Sequence, residues 1–68
     1  MIDTLETVLE TYELTLFGHG IVTGISPDGL SAVLIFNDEI VKRFTGETGW
    51  MDASREAMDK SLRLTYEN

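Results

Sequence analysis

Apolar residues recur at Ile2, Leu5, Leu9 and Tyr12, with Asp3, Glu6, Glu10 and Glu13 at the same spacing beside them. This period predicts an amphipathic helix over residues 3–12 with one acidic face. Three threonines in the span oppose it, because β-branched side chains lose rotamer freedom in a helix, and a strand stays open as the alternative. From Tyr12 the period drops to two. Tyr12, Leu14 and Leu16 alternate with Glu13 and Thr15, which reads as a strand that Gly18-His19-Gly20 ends in a turn. Gly20–Ile25 and Leu30–Phe36 read as two strands joined through Ser26-Pro27-Asp28-Gly29. Proline presets the first turn angle there and glycine accepts positive φ, giving a hairpin with a bulge-type loop. Leu30–Phe36 is apolar on both faces and is expected at the centre of the core. Asn37-Asp38 then turns the chain into Glu39–Phe44, where Ile40, Lys42 and Phe44 share one face and Val41 and Arg43 the other.

Thr45 to Gly49 reads as a loop. Asp52 reads as the N-cap of a short helix ending near Lys60, with Ala53, Ala57 and Met58 on its apolar face. In Ser61–Tyr66, Leu62, Leu64 and Tyr66 alternate, which predicts a closing strand. The summed expectation is a mainly β fold with minor α content. It is a small SH3-like barrel or a strongly bent antiparallel sheet of four or five strands, with a short helix before the last strand and an N-terminal helix. No repeat or linker divides the chain, so residues 1–68 read as one domain, an acidic segment over 1–12 preceding a barrel over 14–66.

Composition narrows the function. The 68 residues contain no cysteine, so neither disulfides nor thiolate metal sites reinforce a core that is small at this length. The net charge is −7, and five acids without a single Lys or Arg fall in residues 1–30. No secretory signal or membrane span is expected, and the reading is a soluble cytoplasmic protein. Direct binding of nucleic acid is disfavoured, since phosphate affinity comes mostly from Lys and Arg. A protein partner with a basic surface is favoured by long-range steering, although the same charge also serves solubility alone.

Catalytic chemistry finds little support. His19 is the only histidine and has no partner legible in the sequence. Asp38-Glu39 and Asp52/Glu56 are carboxylate pairs that match no calcium loop and read better as a turn pair and a capping pair. Gly-x-Ser-x-Gly is absent, and Gly18-x-Gly20 lacks the third glycine of a dinucleotide fingerprint. The expectation is a non-enzyme without metal or cofactor. Lys42-Arg43, the one adjacent basic pair, lies beside Phe44 as a small basic-aromatic patch, with pairing to neighbouring carboxylates as the plainer reading. Trp50 is of the residue type enriched at binding hot spots, and it also suits packing under the short helix. Phe17 and Phe44 flank strand ends and complete the set of partner-binding candidates.

Phe17-Gly18-His19-Gly20-Ile21-Val22, the hairpin after it, Ala32-Val33-Leu34-Ile35-Phe36 and Ile40-Val41-Lys42-Arg43-Phe44 together resemble the SH3-like (Tudor/KOW-type) small barrel. The nearest pattern is the Tudor-like domain at the C-terminus of bacterial repair helicases, and the similarity covers roughly residues 14–66. It implies a docking module without enzymatic activity. Several such barrels bind RNA polymerase and others bind nucleic acid. The chain departs from the pattern in its acidic N-terminal segment and in the longer stretch from Thr45 to Lys60. Three functions follow as expectations. The first is an interaction module that modulates a host transcription or nucleic-acid-processing machine such as RNA polymerase, in the style of a phage-encoded protein. The second is an acidic DNA mimic that displays Asp3, Glu6, Glu10 and Glu13 to a restriction or CRISPR nuclease, helical neighbours lying about 5–6 Å apart. The third is an assembly protein joined through unpaired strand edges into a homo-oligomer.

Overall fold

A computed structural model describes residues 4–67. The chain begins with helix α1 (Leu5–Thr11) and continues through strands β1 (Glu13–Gly18), β2 (Ile21–Ile25), β3 (Ser31–Phe36) and β4 (Glu39–Thr45). It closes with helix α2 (Gly49–Tyr66). The four strands form one antiparallel meander in the order β1-β2-β3-β4, and the sheet stays open rather than closing into a barrel. The four-stranded antiparallel sheet and the N-terminal helix agree with the sequence pattern.

The last third of the chain does not follow it. The expected short helix from Asp52 to about Lys60 starts earlier, at Gly49, and runs on to Tyr66, so the closing strand at Ser61–Tyr66 is absent. The helix buries Gly49, Ala53 and Ala57, with Leu64 packed alongside them. Ser61 and Leu64 continue that stripe at i+4 and i+7 from Ala57, a helical period that the Leu62-Leu64-Tyr66 alternation conceals. Asp52 sits in the first turn, where its charge complements the helix dipole, and Thr48 is the N-cap.

The turns are set by local chemistry. The β1–β2 turn places His19 at φ 55° and Gly20 at φ 79°, and the β3–β4 turn places Asn37 and Asp38 at φ 50° and 64°. Two-residue hairpins with positive φ at both central positions match the twist of the flanking strands, and Gly, Asn and Asp tolerate that region best. The two turns touch, the Asn37 N–H donating to the Gly20 carbonyl at 3.1 Å. A Cβ at residue 20 would lie 2.6 Å from Asn37 Oδ1, so any other residue there must both hold a strained positive φ and push the Asn37 amide aside.

The sheet is covered on both faces. On one, Val8 of α1 packs onto Val33 and Ile35, with Leu5, Tyr12, Val22 and Ile40 around them. On the other, Ala57 of α2 packs onto Ile21 and Leu34, with Phe17, Phe36, Phe44 and Leu64 around them. Residues 32–35 of β3 are all buried because both layers meet on this strand, as the two-faced apolar run predicts. Register fixes which residue goes where. Val22 opposes Ile35 and Thr23 opposes Leu34, so alternate residues serve opposite layers. Thr4 starts α1, its Oγ1 accepting from the Thr7 N–H at 3.2 Å.

The β2–β3 loop is held by Asp28. Its carboxylate accepts from Ser26 Oγ at 2.6 Å and from the Leu30 N–H at 3.0 Å. The Ser26 hydrogen bond first, and the Leu30 N–H second, hold the carboxyl below its ordinary value of 3.8. A carboxylate held low in the folded state adds stability above its unfolded pKa, and that contribution is lost as pH falls below 3.8 and through the folded value. Ser26→Ala is expected to move the Asp28 titration, followed by NMR of its side-chain carbonyl, upward toward the ordinary value. An unchanged curve would mean that the Ser26 bond does not set it.

Candidate functional site

The described surface holds two features of note, the outer flank of α2 and the groove between α2 and β4. Helix α2 carries a second apolar stripe one residue, about 100°, round from its buried one. Met51, Met58 and Leu62 lie along it, with Tyr66 at its end and Trp50 between it and the buried stripe, and all five are exposed. Met51 to Met58 spans seven residues and Met58 to Leu62 four, so the three fall on one line. Three acids (Asp52, Glu56, Asp59) and three bases (Arg55, Lys60, Arg63) balance within the helix. The helix itself is therefore neutral, and the acidic excess of the protein lies outside it.

The groove beside it is lined by Lys42, Phe44, Asp52, Arg55 and Glu56 at one end and by Leu34, Glu56, Asp59, Lys60 and Arg63 at the other. The Lys42 Nζ–Glu56 Oε1 ion pair at 2.6 Å crosses it and separates the two ends. Lys42 also stands 5.2 Å from the Phe44 ring centroid, and Lys60 stands 4.4 Å from that of Phe36. Both ammonium groups stand over aromatic rings of the α2-side core.

The sequence candidates are dispersed by the fold. Lys42 pairs with Glu56 on the helix rather than across the sheet. It opposes Leu34 while Arg43 opposes Val33, so the two bases lie on opposite faces and form no common patch. Phe17 and Phe44 are half-buried against the Ile21–Leu34–Ala57 cluster. Trp50 remains 43% exposed between the buried stripe and the outer one. In the acidic series, Glu6 and Glu10 lie on α1, Glu13 lies on β1, and Asp3 falls outside the described residues. Helix α1 ends at Thr11, so Glu13 leaves the helical line on which the series depends.

His19 has a structural partner. Its Nε2 is 2.9 Å from Thr65 Oγ1, and that hydroxyl donates its single proton to the Ser61 carbonyl. The histidine is then the donor, which places a proton on Nε2. With Ser61 Oγ donating to the Phe17 carbonyl at 2.7 Å, these bonds tie the end of α2 to the first hairpin. Among the described residues, no group of three or more His, Cys, Asp or Glu is placed to hold a metal ion, and no helix is long and apolar enough to cross a membrane.

Comparison with known families, curated proteins and solved structures finds no match to the chain. Met51, Met58, Leu62 and Tyr66 were not candidates from sequence. Read as a helix continuing past Lys60, the same residues line up at i, i+7, i+11 and i+15.

Proposed function

We propose that the protein is a non-enzymatic docking module whose binding face is the outer flank of α2. The observation that carries this reading is the second apolar stripe, Met51, Met58 and Leu62, flanked by Trp50 and Tyr66, on a helix whose other stripe already serves the core. A row of exposed apolar side chains along one helix face marks an interaction surface, and methionine adapts its shape to a partner's relief. Trp50 and Tyr66 supply the aromatic anchors typical of hot spots. The net charge of −7 steers a basic partner toward the molecule, while the stripe makes the close contact. The sequence resemblance of the Phe17–Phe44 segment to Tudor-like docking modules, carried here on an open sheet rather than a barrel, suggests a partner from a transcription or nucleic-acid-processing machine, RNA polymerase being the leading example.

A tagged pull-down from host lysate, challenged with duplex DNA, tests the reading. The protein captured by the wild type is expected to stay bound in the presence of DNA and to be lost with Trp50→Ala combined with Leu62→Glu. Capture that survives those substitutions, yet is displaced by DNA and abolished by Glu6→Lys, Glu10→Lys and Glu13→Lys together, would replace it with the DNA-mimic reading.

A further inference from the structure

We propose that β1 is a self-complementary sheet edge through which two copies of this chain pair antiparallel about Thr15, independently of the docking role of α2. The sheet order leaves β1 and β4 as edges. They are not alike. Strand β4 carries Glu39, Lys42 and Arg43 and a register shift between its pairings with Leu34 and Ile35, the charges and bulge that blunt an edge. Strand β1 also shifts register, but at its hairpin end between Leu16 and Gly18, and it carries one charge, Glu13, followed by Leu14, Thr15 and Leu16, with Leu16 79% and Leu14 37% exposed.

The register of a two-fold pair centred on Thr15 follows from the sequence. Leu14 opposes the partner's Leu16, Leu16 opposes the partner's Leu14, and the two threonines oppose each other. Leucine pairs and threonine pairs are favourable cross-strand neighbours. Glu13 opposes the partner's Phe17 rather than a second glutamate. The two glutamates then stand four residues apart along the ladder, about 13 Å at the rise of a strand, which is beyond the Debye length of about 8 Å at physiological salt. Leu16 already extends the row Val22–Ile35–Ile40 on the α1 face, since it pairs with Val22 and Val22 with Ile35. The partner's Leu14 would lengthen that row across the interface. The far end of the edge is closed, because the Phe17 carbonyl accepts from Ser61. Pairing is thus confined to Leu14–Leu16, and slippage toward the hairpin turn is blocked. A charge of −7 on each copy opposes association, so the dimer should strengthen with added salt.

Sedimentation equilibrium of the full chain at rising concentration and salt tests this, together with single-cysteine variants that the cysteine-free chain makes unambiguous. Opposed Cα atoms in an antiparallel pair lie about 4.5–5.5 Å apart, inside the range a disulfide spans. The expected results are a salt-strengthened dimer, its loss with Leu16→Glu, and ready disulfide crosslinking of Thr15→Cys under mild oxidation but not of Val41→Cys on the opposite edge. Leu16 is so exposed that its replacement should leave the fold intact, and the Thr15→Cys result decides independently if it does not. A monomer under every condition would overturn the proposal. So would a dimer that survives Leu16→Glu and fails to crosslink through Thr15→Cys.

Discussion

Ile21→Ala is expected to leave the chain largely unfolded at room temperature. Ile21 is 1% exposed and packs with Leu34 and Ala57 where β2 and β3 meet α2. Removing a buried isoleucine side chain costs about 2–5 kcal/mol, the cavity included. A single core in a domain this short rarely supplies more than about 3–5 kcal/mol. The loss is therefore of the same size as the whole margin. Urea unfolding followed by far-ultraviolet circular dichroism checks it: the midpoint should fall close to zero denaturant, or the native baseline should vanish. A midpoint within experimental error of the wild type would mean that Ile21 does not hold the two layers together.

Met58→Glu with Leu62→Glu should do the reverse, sparing the fold and destroying binding. Both side chains are exposed, and glutamate is a good helix former, so stability should stay within about 1 kcal/mol. Each side chain offers a partner roughly half its surface, about 1–1.5 kcal/mol of burial. Together they amount to a loss on the order of 100-fold in affinity for the captured partner. Calorimetry or surface-based binding with that partner measures it, and an affinity within about threefold of the wild type would remove α2 from the interface.

These two sets of residues also mark where the sequence was legible. The hairpins were, because Pro27-Asp28-Gly29 and Asn37-Asp38 have few conformations available and the strands between them alternate or are wholly apolar. The bulges left no trace in the pattern, since they are products of pairing rather than of composition: one lies between Leu16 and Gly18, and the one in β4 puts Ile40 on the α1 face, opposite Lys42 and Phe44, where simple alternation puts all three together. Residues 61–66 misled for a definite reason. Leu64 continues the buried stripe while Leu62 and Tyr66 belong to the outer one, and two helical stripes offset by about 100° mimic strand alternation over six residues. The outer stripe was hidden by the same coincidence. The acidic series was legible only as far as Thr11, where α1 stops, because Tyr12 takes an extended conformation with ψ 149°.

The order of elements has a consequence for folding. All four strands pair with sequence neighbours, so the meander rests on local contacts and can form before α2 docks. Until Gly49–Tyr66 packs down, Ile21, Leu34, Phe36 and Phe44 form a bare apolar sheet face beside an open β1 edge. The interval between closure of the meander and docking of α2 is when the chain is most exposed to aggregation.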